Sequence, residues 1–75
     1  MILPVQCFLA RTALGWTKSE LARASATSPS AVRKFERGGS QRVTTVEAIQ
    51  RALENAGVIF IGADDGGPGA RLDEG

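Results

Sequence analysis

TKSELARASATSPSAVRKFERG, residues 17–38, is the stretch on which the fold turns. Thr17 stands three residues ahead of Glu20, the spacing of a capping box. Its hydroxyl can accept from the Glu20 N–H while the Glu20 carboxylate reaches back to the Thr17 N–H. Trp16 before the cap and Leu21 inside the helix are spaced for a hydrophobic staple. Leu21, Ala22 and Ser25 then fall on one inner face, and small Ala22 lets a second helix cross closely. That second helix starts at Ser28, a preferred cap, with Pro29 at the first helical position, where a missing N–H costs nothing. Val32 and Phe35 point inward at a spacing of three, which leaves Ser30, Arg33, Lys34 and Arg37 outside. The pattern is helix, tight turn, helix, with a basic outer side on the second helix.

The flanks complete a small bundle. Pro4 opens a helix running to about Leu14, with Cys7, Ala10, Arg11 and Leu14 inward and Gly15 as its stop. Gly38–Arg42 is a loop. Thr44 with Glu47 repeats the capping-box spacing, and the helix it opens runs to about Ala56, with Val46, Ile49, Ala52 and Leu53 inward and Gly57 as cap. Glu47 and Arg51 form an expected i,i+4 pair. Phe8 lies off the inner stripe, either as a flank of the core or as a contact for a partner subunit.

With these residues in place the chain resembles a known family. Arg11, Leu14-Gly15-Trp16-Thr17, Glu20-Leu21-Ala22, Ser28, Ser30, Val32 and Phe35-Glu36-Arg37-Gly38 match the lambda-repressor-like DNA-binding domain of the Cro/repressor (XRE) family over residues 4–57. The resemblance implies a mainly α fold: a four-helix helix-turn-helix bundle with a short C-terminal β-strand or hairpin. It implies that the helix at about 28–37 enters the major groove of double-stranded DNA. Base reading then falls to Pro29, Ser30, Arg33 and Lys34, and backbone contact to Lys18, Thr27, Ser28, Arg37, Ser40 and Arg42. Arg11 and Glu36 match a buried salt bridge joining the first helix to the end of the third. Two positions depart from the pattern. Ala26 occupies a turn site usually held by Gly, at roughly 1 kcal/mol of strain if φ is positive. Pro29 cannot hydrogen-bond through its side chain, so reading shifts to Ser30, Arg33 and Lys34 or to DNA shape.

Charge divides the chain. The net charge is only +1. Yet residues 1–57 carry eight Lys/Arg against four Glu, and residues 58–75 carry Arg71 against Asp64, Asp65, Asp73 and Glu74. A basic DNA-binding domain over 1–57 and an acidic tail over 58–75 follow. Within the tail, Val58-Ile59-Phe60-Ile61 reads as a strand, Gly62–Gly69 as a turn or loop, and Ala70-Arg71-Leu72 as a short return strand. Four successive apolar residues cannot all face one small bundle. The strand either packs on its own helices or pairs with its copy in a second subunit, making Val58, Ile59, Phe60, Ile61 and Leu72 a homodimer interface. Two recognition helices would then serve half-sites about 34 Å apart.

Several classes are disfavoured. With one Cys and no His, no disulfide or metal staple is expected, and Cys7 reads as a core residue, with a redox-sensing thiol as the alternative. No nucleophile–base pair or phosphate loop can be assembled, so an enzyme, a cofactor or a small-molecule ligand is not expected. The absence of a signal peptide or a membrane-length apolar run points to a cytoplasmic protein. Beside the transcriptional regulator stands a second class: a protein-binding module, an antiactivator or antitoxin, that captures a regulatory partner with the apolar tail or Phe8.

Overall fold

Local chemistry starts and stops each helix. In the computed structural model, which describes residues 1–62 and 68–73, the order is α1 (Pro4–Ala13), α2 (Lys18–Ser25), α3 (Pro29–Glu36), α4 (Val43–Asn55), β1 (Val58–Ile61) and β2 (Gly69–Leu72). Thr17 and Glu20 form the reciprocal box at the start of α2: Thr17 Oγ1 accepts from the Glu20 N–H at 3.1 Å, and Glu20 Oε1 accepts from the Thr17 N–H at 2.8 Å. Those bonds to the ionised form hold the Glu20 carboxyl below its ordinary range. Ser28 Oγ accepts from the Ala31 N–H at 3.1 Å, and Pro29 opens α3.

The ends of α1, α2 and α3 share one device. After α2, the Thr27 N–H donates to Ala22 O at 2.9 Å and the Ala26 N–H to Arg23 O at 3.3 Å. This double bond pattern requires a left-handed residue between helix and turn. Ala26 supplies it, at φ 55° and ψ 38°, and it is the sole non-glycine among the described residues with positive φ. Gly38 does the same after α3 at φ +87°.

The core lies where α2 crosses α3 and α4 and where α1 closes the bundle. Leu21, Ile49, Leu53, Val32 and Cys7 are its largest fully buried side chains. Trp16 and Leu14 pack against this cluster from its rim. The inward stripes expected for all four helices are buried, apart from half-buried Leu14 and Arg11.

Two expectations need correction. α4 starts one residue before Thr44. Arg42 is extended and its carbonyl accepts from the Val46 N–H at 3.1 Å, so Arg42 is the capping residue and no side chain caps this end. The Thr44–Glu47 spacing therefore falls inside the first turns and forms no box. Glu47 and Arg51 form no ion pair among the described residues; the i,i+4 contact on that helix is Gln50 Nε2 donating to Glu54 at 3.2 Å. The tail forms the expected strand and return strand. β1 pairs antiparallel with β2, with Val58 opposite Leu72, Ile59 opposite Arg71, Phe60 opposite Ala70 and Ile61 opposite Gly69. The hairpin packs against α1 and the end of α4, so a strand partner and a helix partner both come from the same chain. The turn read over 62–69 and the acidic Asp64, Asp65 and Glu74 lie largely outside the described residues.

Gln6 fastens the hairpin to α1. It is buried, and its Nε2 donates to Ile61 O and Gly69 O, both at 3.1 Å, while its Oε1 accepts from the Leu3 N–H at 2.8 Å. A buried amide left unpaired would cost about 1–3 kcal/mol, and here both amide hydrogens and the oxygen are used.

Candidate nucleic-acid interface

α3 is amphipathic because Val32 and Phe35 are buried while Pro29, Ser30, Arg33, Lys34 and Arg37 are all exposed. Ser30, Arg33, Lys34, Arg37 and Gly39 line one shallow groove along the outer side. The loop after α3 closes tightly over that groove. A Cβ on Gly39 would stand 2.7 Å from Lys34 Cγ and 3.0 Å from Lys34 O, so glycine alone lets the chain cross the Lys34 stem. Gln41 Nε2 donates to Ala31 O at 3.4 Å and ties the far end of the loop to the first turn of α3. Ser40 and Arg42 are exposed on the same loop.

The cations are available. Among the described residues, Lys18, Arg33, Lys34, Arg37 and Arg42 form no ion pair. Lys18 is half-buried at the first position of α2. Ser28 is exposed, and its oxygen already accepts one backbone bond, which leaves its hydroxyl proton for an outside acceptor. Thr27 is placed differently. It is half-buried, its N–H is used in the turn, and its hydroxyl lies 2.8 Å from Ser25 Oγ, which itself donates to Leu21 O at 2.7 Å. With that serine proton committed, the Thr27 hydroxyl is the donor to Ser25 in the unbound chain.

α3 is anchored at its C-terminal end by a buried ion pair. Arg11 Nε and Nη2 donate to Glu36 Oε2 and Oε1 at 2.8 and 3.0 Å, and the two side chains are 11% and 6% exposed. Arg11 Nη1 also donates to Trp16 O at 2.9 Å, so one guanidinium joins α1, the α1–α2 turn and α3. The bidentate geometry is the strong form of this contact, and the bond to Glu36 raises the Arg11 pKa further. Cys7 Sγ donates to Glu36 Oε2 at 3.4 Å. Burial first, and the Glu36 charge second, push the Cys7 thiol up from 9.0 to about 12. A neutral, fully buried thiol is a poor redox nucleophile. The Arg11 guanidinium also lies 5.7 Å from the ring centre of Phe8, which is 48% exposed.

Of the expected interface residues, Pro29, Ser30, Arg33 and Lys34 come together on α3 and Arg37 at its C-cap, with Ser40 and Arg42 beside them on the following loop. In the hairpin, Val58 is buried in its own core, Ile59, Phe60 and Ile61 are half-buried, and Leu72 is exposed on β2. Sequence reasoning missed Gln6, Gly39 and Gln41. The double glycine after Arg37 carried a signal for Gly39; nothing local marked the two glutamines, whose partners are distant in sequence. Among the described residues no group of three or more His, Cys, Asp or Glu could hold a metal ion, and no helix is long and apolar enough to cross a membrane.

Residues 9–56, more than half of the chain, match a helix-turn-helix family, and the chain belongs to that family, the XRE/lambda-repressor-like group. The family is one of DNA-binding domains and not of enzymes. No curated protein matches the chain.

Proposed function

We propose that this protein is a sequence-specific transcriptional regulator that acts as a homodimer on an inverted-repeat operator, with α3 in the major groove. The observation that carries the reading is the outer face of α3. It holds three exposed cations with no ion pair among the described residues, on a helix whose opposite face is locked into the core. Lys18, Ser28, Arg37, Ser40 and Arg42 set the register on the phosphates, and Ser30, Arg33 and Lys34 read base edges, with Pro29 filling space beside them. Thr27 supports the turn more than the phosphate contact. Control comes from occupancy of the operator, in the cytoplasm, by the concentration of the chain or a partner protein.

Electrophoretic retardation of DNA from upstream of the chain's own gene, at two salt concentrations, tests the reading. Three phosphate-facing cations per chain make about six per dimer, and a salt slope near −0.9 per contact loses about 10³ in affinity between 50 and 200 mM. Retardation that selects no site, or that ignores salt, refutes it. A protein-binding role has its own support in the exposed Val5, Phe8 and Leu9, which share one side of α1. Capture of a regulatory protein by a chain that retards no DNA would favour that role.

A further inference from the structure

The hairpin is a two-stranded sheet, and such a sheet is barely stable unless something covers it. α1 and α4 cover one face. The register identifies what is left. The Asp73 N–H donates to Gly57 O at 2.7 Å, so Gly57–Asp73 is a hydrogen-bonded pair. Bonded and non-bonded pairs alternate along an antiparallel ladder. Ile59 and Ile61 therefore direct their backbone groups toward β2, while Val58 and Phe60 direct theirs to the opposite edge. Outside the ladder, no backbone hydrogen bond among the described residues reaches Val58 or Phe60.

The edge also lacks the usual safeguards. β1 contains no charge, no proline and no bulge, the features that normally keep a strand edge from pairing. Side chains alternate: Phe60 and Ala70 pack on the core with Val58, and half-buried Ile59 and Ile61 fall on the other face. That face carries two large aliphatic side chains, neither of which joins the core cluster of the described residues. Its charged member, Arg71, sits on β2, one strand away from the open edge, so like charges do not meet when two such edges join.

We propose that two copies of this chain pair antiparallel through the open edge of β1, with the two-fold axis at Phe60, so that Ile59 of each copy faces Ile61 of the other across a four-stranded sheet. The proposal rests on the dimeric reading above and gives it an interface and a register. Even-numbered residues supply the free backbone groups, so the axis has to fall on a residue and not between two; at Val58 it would set each Ile59 against Gly57, which leaves Ile59, Phe60 and Ile61 to compare. At Ile59 the axis sets each Ile61 against Gly57, which has no side chain and a φ of +99°. At Ile61 it leaves Val58 beyond the partner's strand. At Phe60 it matches Ile59 with Ile61 twice, the only choice that pairs all four isoleucines. It also closes the two backbone bonds between the Phe60 residues, and continues the edge with Gly62 opposite Val58. A second copy is favoured over a foreign strand because the edge is self-complementary under this axis, and because one α3 reads only one half-site.

Cysteine pairing tests the register. In a Cys7→Ser background, whose hydroxyl still has Glu36 as acceptor, chains carrying Ile59→Cys and chains carrying Ile61→Cys are prepared separately, mixed and oxidised. Directly opposed non-bonded residues have Cα atoms about 4.5 Å apart, within disulfide range, whereas diagonal neighbours are about 7–8 Å apart and out of it. The expected result is a covalent heterodimer in the mixture and little cross-linking of either variant alone. Cross-linking of Ile59→Cys alone overturns the Phe60 register. Sedimentation of the parent chain separates this from the dimeric reading itself. A parent dimer with no cross-link in the mixture, or one that cross-links through Phe8→Cys on α1, overturns the β1 edge. A parent that stays monomeric up to millimolar concentration overturns both.

Discussion

Replacing Ala26 with glycine is expected to stabilise the protein. Ala26 closes α2 in the left-handed region, at φ 55°, and its side chain is exposed. An L-residue with a Cβ pays about 1–2 kcal/mol in that conformation. Glycine pays none of it, but gives up about 0.5–1 kcal/mol through the greater freedom of the unfolded chain. The exposed methyl contributes almost no burial to lose, so the net gain is about 0.5–1 kcal/mol. For a domain of this size, 1 kcal/mol moves the melting temperature by about 4–8 °C, which puts Ala26→Gly some 2–8 °C above the parent. Thermal unfolding followed by far-ultraviolet circular dichroism reads the shift.

Gly38→Ala supplies the opposite sign. Gly38 holds the same place after α3 at φ +87°, and a Cβ there would meet nothing within 4 Å. Its loss is therefore backbone strain alone, about 1 kcal/mol, and the melting temperature should fall by a similar number of degrees. If Ala26→Gly melts at or below the parent temperature, the strain argument for the α2–α3 turn is wrong.

Other perturbations address the anchor of α3 and the buried thiol. Arg11→Met and Glu36→Leu, made singly, each leave a buried charge without its partner and should cost about 3–5 kcal/mol by the shift in urea midpoint. The double variant should recover most of that loss. Single costs below about 1 kcal/mol would mean that the pair behaves as a solvated surface bridge. Cys7, with its pKa pushed up to about 12 from 9.0, carries about a thousandfold less thiolate at pH 8 than an ordinary thiol. Its reaction with a disulfide reagent should be slow in the native protein and should accelerate in urea in step with unfolding. Rapid modification of the folded chain would contradict its burial.

The helix-turn-helix was legible because its signals are local. Thr17 with Glu20 and Ser28 with Pro29 specify helix starts within four residues, and Val32 with Phe35 specifies which side of α3 goes inward. The strain at Ala26 was legible through the family resemblance, which marks that turn position as one usually held by Gly. The failures have a common cause too. Thr44–Glu47 carries the spacing of a cap, but the extended backbone at Arg42 decides where α4 begins. Glu47 and Arg51 have the spacing of a pair, yet an exposed pair gains only a few tenths of a kcal/mol and does not dictate side-chain positions. Gln6 reaches the hairpin across more than fifty positions of sequence, and the Cys7–Glu36 bond spans two helices. Neither leaves a mark in a local window. Thr27, a backbone contact by the family resemblance, has its hydroxyl against Ser25 in the unbound chain, a partner that no local window marks.

Under the proposed function, a rigid α3 narrows what the operator can look like. The helix is capped by Ser28, held through Glu36 by Arg11, and crossed by the Gly39 loop, so its side chains must do the reading from a fixed axis. Pro29 offers no hydrogen bond and Ser30 is short, which leaves Arg33 and Lys34 as the long donors at the centre of the face. Neither accepts a hydrogen bond, and the base edge that best suits a long donor is guanine, with O6 and N7 side by side in the major groove. Selection from a random DNA pool should therefore return half-sites with guanine at one or two fixed positions. Arg33→Ala should relax the preference at one of them by about 1–3 kcal/mol, while Arg37→Ala should weaken all sites alike and lower the salt slope by about 2 per dimer. Half-sites without a fixed guanine, or a uniform loss for Arg33→Ala, would move Arg33 to the phosphates and leave DNA shape as the basis of selection.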